Sequence, residues 1–352
     1  MNRCNRSNQA KTRSVWNCWA QWAGLATFAV GCSSENQVFE RTVFDEWTQA
    51  PTNEVDILWV VDDSQSMAEE QTAVANAFGS FIAQIDGTGA DWHMAAISTS
   101  FDAGDPMRGR FLGEPAVLTP AVPEYTALFQ SRVQVGASGS DFERSFEATD
   151  YALSGVMTNT YNKGFLRRDA YLMLVYLSDE NDCSDEGGLG PDAKGEDCYG
   201  ADAALVPVSE YVARFRKLKD DPSYVLVGAI VGPRRDSSDG CEQAVPGHRY
   251  FELADAMGGN LGNICEADYS PVLEVLGQHA SGIRETFELT ARPKLDTLKV
   301  EIDAGEGEIE VLEGETDGWT YDEATNYLTF HGAAIPPRSA RIAATYTAVP
   351  GR

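Results

Sequence analysis

The chain has little with which to perform bond chemistry. Only four of its 352 residues are histidine, His93, His248, His279 and His331, and neither a His-Glu-x-x-His helix nor a Gly-x-Ser-x-Gly turn is present. Those gaps count against the common zinc proteases and serine hydrolases. No Cys-x-x-Cys pair occurs, which sets aside a structural zinc site. Basic residues are scarce: 27 Lys and Arg stand against 54 Asp and Glu, an excess of negative charge that repels nucleic acid and anionic lipid. There is no internal repeat and no low-complexity segment. The apolar stretch near the start, Trp19 to Val30, is too short for a comfortable membrane span.

What is present divides the chain into a leader and a folded part. Arg3, Arg6, Lys11 and Arg13 lie in a leader without acids, followed by that mostly apolar stretch and by Phe28-Ala29-Val30-Gly31-Cys32-Ser33. This order reads as a bacterial secretory signal ending in a lipoprotein box, with a plain signal peptide or a short membrane helix as the rival reading. The small Gly31 suits a peptidase pocket, and the Cys32 thiol would carry the diacylglycerol anchor. Ser33 after Cys32 resembles lipoproteins sent to the outer membrane. Residues 1–32 are therefore expected to be signal and lipidated cysteine, and 33–53 a polar tether. Four further cysteines, Cys183, Cys198, Cys241 and Cys265, imply two disulfides in an exported protein. Of the three connectivities, Cys183 with Cys198 and Cys241 with Cys265 each close a short loop rich in Gly and Asp.

From Val55 to about Arg284 strand-like and helix-like segments alternate, the mark of a doubly wound, mainly parallel α/β sheet with helices on both faces. Val55 to Val61 is a continuous apolar run, as a central strand requires. Val74, Phe78, Phe81, Ile82 and Ile85 then fall at helical spacing. Trp92 to Ile97, Tyr171 to Leu177 and Tyr224 to Val231 read as strands. Phe142, Phe146, Leu153 and Met157 mark one helix, Val212, Phe215 and Leu218 another, and Ser270-Pro271 opens the last. Beyond Arg284 the period changes to two: Leu298, Val300 and Ile302, then Ile309 and Val311, then Ile342, Ala344 and Tyr346. That pattern predicts a small β-sandwich-like domain over 285–352 after an α/β domain over 54–284.

At the carboxyl end of the first strand Val60-Val61 runs into Asp62-Asp63-Ser64-Gln65-Ser66. An Asp-x-Ser-x-Ser turn there puts the Asp62 carboxylate and the Ser64 and Ser66 hydroxyls on one side, where open α/β sheets bind ligands, and three hard oxygens suit a hard metal ion. The motif resembles the metal-ion-dependent adhesion site of von Willebrand factor A (VWA) domains. Gly164-Phe165-Leu166-Arg167-Arg168-Asp169-Ala170, Ser178-Asp179-Glu180-Asn181-Asp182-Cys183-Ser184 and Gly318-Trp319-Thr320-Tyr321-Asp322 extend the likeness to VWA-bearing lipoproteins of Gram-negative bacteria. The resemblance implies two more ligands: Asp179, ending a later strand, and a hydroxyl from Gly136-Ala137-Ser138-Gly139-Ser140-Asp141. That hydroxyl is Ser138 or Ser140, and spacing to the next helix favours Ser140. Ser100 departs from these relatives, which often carry Asp after the second strand.

The resemblance also implies a function. Mg²⁺, or else Mn²⁺ or Ca²⁺, held by two carboxylates and neutral hydroxyls keeps one open place, which a protein partner's Asp or Glu fills. The chain is then no enzyme but an adhesion or scaffold module, lipid-anchored at the outer membrane. The alternative is an exported metal-dependent hydrolase using Glu180 or Asp182 as base. Three lesser possibilities attach to particular residues. Glu69 and Glu70 have the spacing of a second metal site but suit a first helical turn. Trp319, Tyr321, Tyr327 and Phe330 offer aromatic faces to a sugar but suit strand packing. The acid- and Gly-rich loop from Asp179 to Asp202 lacks the EF-hand spacing for Ca²⁺, with Ala193 where a Glu would be needed.

Overall fold

The computed structural model describes residues 41–49, 52–102, 104–190, 193–199, 204–234 and 244–349. Strand β1 (Arg41–Thr48) precedes β2 (Glu54–Val61), helix α1 (Ala68–Gly87) and β3 (Asp91–Ser98). Helices α2 (Tyr125–Val133), α3 (Ser145–Ala152) and α4 (Gly155–Thr158) lead to β4 (Tyr171–Ser178). After α5 (Gly195–Cys198) and α6 (Val208–Arg216) come β5 (Val225–Val231), α7 (His248–Met257), β6 (Asn260–Asn263) and α8 (Ser270–Ala280). Short strands follow: β7 (Thr286–Glu288), β8 (Lys299–Asp303), β9 (Glu308–Val311), β10 (Trp319–Asp322), β11 (Tyr327–Phe330) and β12 (Arg341–Ala348).

Five strands form a parallel sheet in the order β3-β2-β4-β5-β6. An interior place between β3 and β4 explains the unbroken apolar run of β2, which has a layer of helices on each face. Ile57, Trp59 and Val61 point to one layer, where the Trp59 ring sits 5.2 Å from both Phe81 of α1 and Phe129 of α2. Leu58 and Val60 point to the other, with Phe146 of α3, Tyr211 and Phe215 of α6, and Tyr250 of α7. Emptying such a site, as in Phe81→Ala, costs about 3–5 kcal/mol. The single helix expected from Phe142 to Met157 is two. The chain turns at Ser154, whose Oγ donates to the Tyr151 carbonyl at 2.6 Å and accepts from Met157 N at 3.5 Å, starting α4.

The remaining strands make two antiparallel sheets, β1-β12-β8-β9 and β10-β11-β7, around Phe287, Val300, Trp319, Leu328, Phe330 and Ile342. Trp319 and Phe330 are thus packing residues, and the Trp319 indole N–H is spent on the Val311 carbonyl at 2.8 Å. With Tyr321 half-buried and only Tyr327 exposed, the four aromatics form no shared sugar-stacking face.

Strand β1 lies inside the stretch expected to be a tether. It pairs with β12 in register from Arg41 opposite Ala348 to Thr48 opposite Arg341. Val43 and Asp45 are buried, and Asp45 is stabilised there by the Tyr346 hydroxyl at 2.7 Å and the Thr290 N–H at 2.9 Å. The α/β part is consequently inserted between β1 and β7. Its entry and exit are clasped together: Gln49 Nε2 donates to the carbonyls of Arg284 (2.8 Å) and Pro336 (3.0 Å), and Arg284 N donates back to Gln49 Oε1 at 3.0 Å. The Arg338 guanidinium bridges the Thr52 and Ser281 carbonyls. All described residues belong to one compact unit, Glu40–Arg352. Among them no helix is long and apolar enough to cross a membrane. Cys32 and the rest of the leader lie outside the described residues.

Candidate metal centre

The carboxyl ends of β2 and β4 lie side by side, with Asp62 N donating to Leu177 O at 2.9 Å, and this pairing sets the site. Asp62 is fully buried. One carboxylate oxygen accepts from Ser64 N at 2.8 Å and the other from Ser178 Oγ at 2.6 Å. Gln71, from the second turn of α1, donates to Asp62 O at 2.7 Å and to Gly136 O at 2.8 Å, fastening the loop before α3 to the end of β2. Ser64 Oγ and Ser66 Oγ are 3.1 Å apart. Asp179 follows β4 directly; it is buried, and its Oδ1 has no hydrogen-bond partner.

Among the described residues, one group of three acids is placed to hold a metal ion: Asp62, Asp179 and Glu180 each offer an oxygen within 4.8 Å of the others. Glu180, considered from sequence only as a base, is thus a member of the group. Burial, opposed by the Ser178 and Ser64 hydrogen bonds, pushes the Asp62 carboxyl up to about 7. Burial and then the charges of Asp62 and Asp179 push Glu180 up to about 8. Asp179 is raised by burial, with the Ser66 hydroxyl opposing. Buried carboxylates that resist ionisation while facing one another and two hydroxyls are a hard-oxygen donor set that fits a divalent cation.

Ser140 is placed on a neighbouring branch. Its N–H donates to Ser100 Oγ at 2.9 Å, Ser100 Oγ donates to Asp63 Oδ1 at 2.8 Å, and Ser140 Oγ accepts from Phe142 N at 3.1 Å. Ser100, the departure noted in the sequence, therefore positions both Asp63 and the loop. Gly139 is needed there, since a Cβ would lie 2.1 Å from the Asp63 carboxylate. Ser138 is exposed.

Cys183 and Cys198 form the expected disulfide, with Cα atoms 5.7 Å apart. The bridge packs with Phe142 and Leu205, which fixes the loop after β4 against the loop before α3. Cys265 is disulfide-bonded, and Cys241 lies outside the described residues. Asp182 is not free to act as a base. Its oxygens accept from Phe146 N (3.0 Å) at the start of α3, from Ser184 Oγ (2.7 Å), and from Arg249 Nε (2.9 Å). Glu69 and Glu70 occupy the first turn of α1.

Sequence reasoning missed Ser178, Gln71 and Glu143. Ser178 was legible only as the residue before Asp179. Glu143 carried no local signal, since it stands in the loop just before α3 and not on that helix.

No protein-family model matches the chain, and no curated protein matches it. Solved structures do resemble it. The pilus adhesin SpaC from Lactobacillus rhamnosus GG is 11% identical with a TM-score of 0.35, over 87% of this chain and 41% of that one. Proximal thread matrix protein 1 from the mussel byssus is 13% identical with a TM-score of 0.34, over 70% and 51%. The pilus adhesin RrgA from Streptococcus pneumoniae is 10% identical with a TM-score of 0.36, over 88% and 58%. The chain thus spans about half the length of these structures. At that level none of the likenesses bears on function.

Proposed function

We propose that the protein is an envelope-anchored binding module of VWA type, in which a divalent cation at the carboxyl ends of β2 and β4 joins it to a protein partner. The observation that carries this is the convergence of Asp62, Asp179 and Glu180 beside Ser64 and Ser66 at the mouth of the parallel sheet. Asp62, Ser64, Ser66 and Asp179 hold the ion in this proposal, and a partner oxygen completes its shell. The expectation of an acidic donor counted two carboxylates. Glu180 makes a third, which leaves the ion-bound site net negative and disfavours an incoming Asp or Glu. No bond chemistry is assigned, and Mg²⁺, Mn²⁺ and Ca²⁺ are the candidate ions. The test is a crosslinking pull-down from intact cells with and without chelator. A set of captured proteins that is identical in both would refute a cation-dependent interaction.

The same proposal places the anchor on Cys32. Metabolic labelling with a palmitate analogue is expected to tag the protein and co-fractionate it with outer membrane, and Cys32→Ser to abolish the label and release the protein. An unlabelled mutant that stays in the membrane would mean a different anchor.

The disulfide adjoins the site without supplying a ligand. Replacing both partners, Cys183→Ser with Cys198→Ser, opens a loop whose ends are 15 residues apart and is expected to cost about 3 kcal/mol of stability. Cation affinity is expected to change much less than with Asp62→Asn. Calorimetric titration and thermal melts read the two quantities separately. Equal loss of cation affinity in both variants would make the loop part of the metal site.

A further inference from the structure

We infer that Glu143, and not Ser140, is the ligand that the loop before α3 gives to the cation. This rests on the proposed cation site and goes beyond it by changing the ligand set and the ion it selects. Glu143 is 1% exposed, and neither of its carboxylate oxygens has a hydrogen-bond partner. The main chain of Glu143 is held in place, its carbonyl accepting from Cys183 N at 2.7 Å. Burial foremost, and then the Asp62 carboxylate, hold the Glu143 acid well above its usual range, with the neighbouring Thr99 hydroxyl opposing and Glu180 and Asp63 adding to the effect. The backbone places Glu143 beside the end of β2: Arg144 N donates to Thr99 O at 3.4 Å, and Thr99 N donates to Val61 O at 3.1 Å, one residue from Asp62.

No basic group among the described residues offsets these acids. The nearby guanidiniums are committed elsewhere, Arg144 to Asp102 at 2.6 Å and Arg249 to Asp182 at 2.9 Å. A buried carboxylate without donors or a counter-charge is held neutral by a proton or offset by a cation. A cation beside Asp62 relieves Glu143 as well as the three acids at the mouth. Ser140 has no such need: its hydroxyl already accepts from Phe142 N, and its N–H is tied to Ser100. Asp62, Asp179, Glu180 and Glu143 offer the ion more carboxylates than the one or two that Mg²⁺ usually takes. Ca²⁺ accepts six to eight oxygens and bidentate carboxylates, whereas Mg²⁺ keeps several waters and an octahedron. The site accordingly selects Ca²⁺ over Mg²⁺.

The test uses full-length protein in detergent, titrated calorimetrically with CaCl₂ and separately with MgCl₂. Wild type is expected to bind Ca²⁺ at least about tenfold more tightly than Mg²⁺. Glu143→Gln should lose about a hundredfold in Ca²⁺ affinity, while Ser140→Ala stays within about threefold. Metal-free Glu143→Gln should melt no lower than wild type, because the amide needs no proton to remain buried; this separates ligand loss from misfolding. Infrared difference spectra should show Ca²⁺ converting a protonated carboxyl to carboxylate in wild type, with that signal diminished in Glu143→Gln. Undiminished Ca²⁺ affinity in Glu143→Gln, a hundredfold loss in Ser140→Ala, or tighter binding of Mg²⁺ would overturn the inference and leave the cation site standing. A wild type that binds no divalent ion at all would instead remove the cation site itself.

Discussion

A saturating divalent cation is expected to raise the melting temperature of the protein by about 5 to 10 °C, and Asp62→Asn to abolish the rise. Binding at a hundred times Kd stabilises the folded state by about 2.7 kcal/mol, and in a chain of this size each kcal/mol moves the midpoint by roughly 2–4 °C. Asp62 is the right position to change because it lies at the bottom of the site, fully buried, with oxygens fixed by Ser64 N and Ser178 Oγ. Asn at that position keeps one acceptor oxygen for those donors and loses the charge. Asp62→Ala would leave the Ser64 N–H without a partner, at a cost of about 1–3 kcal/mol, and the Ser178 hydroxyl with only the Glu180 carbonyl at 3.2 Å, so it confounds the fold with the site. Scanning calorimetry with and without the ion is the measurement. A shift of equal size in Asp62→Asn would place the ion elsewhere.

The second large effect is on pH dependence. Asp62 and Glu180 are raised in the folded state, chiefly by burial, to about 7 and about 8 from 3.8 and 4.5. Unfolded, both acids ionise near pH 4; folded, they keep their protons until pH 7 to 8. Between those limits the folded state binds more protons than the unfolded one, so stability falls as pH rises. Metal-free protein is expected to lose about 4–9 kcal/mol between pH 4 and pH 8. Below pH 4 both states are protonated and the effect vanishes. The net charge of −27 adds a trend of the same sign, so the decisive comparison is the slope against that of Asp62→Asn, which should be shallower. The cation displaces these protons, so titration at pH 6.5 in buffers of differing ionisation enthalpy should show proton release. Parallel slopes for wild type and variant, or no proton release, would mean that Asp62 ionises normally.

How much of this was legible depended on where each contact lies along the chain. Four of the five parallel strands were plain because they are buried, whereas the short, half-exposed β6 at the sheet edge gave no apolar run; Asp62, Ser64, Ser66 and Asp179 stood out because they adjoin strand ends. Strand β1 was hidden by an inverted pattern: Phe44 is 58% exposed while Asp45, beside it, is 7% exposed. Inward-facing acids and outward-facing aromatics defeat any reading by alternation. Glu180 and Glu143 were hidden for another reason. Their roles depend on which side of β4 the chain leaves and on how far the loop before α3 folds inward, and neither is a local property. Ser100 was noticed as an oddity, and only the Asp63 to Ser140 linkage gives it a purpose.

The insertion of the α/β part between β1 and β7 has a mechanical consequence. Tension applied between Arg41 and an ion at Asp62 runs along a covalent path through β1, the clasped connection at Gln49, and β2 alone. Strand β1 meets that pull with its whole ladder to β12 loaded in shear, since the hydrogen bonds stand across the strand and share the force. Strand β2 meets it from the middle of the parallel sheet, gripped by β3 on one side and β4 on the other. The helices and the strands β7 to β11 are not on this covalent path, so a pull of that kind would load β1 and β2 before the rest of the fold.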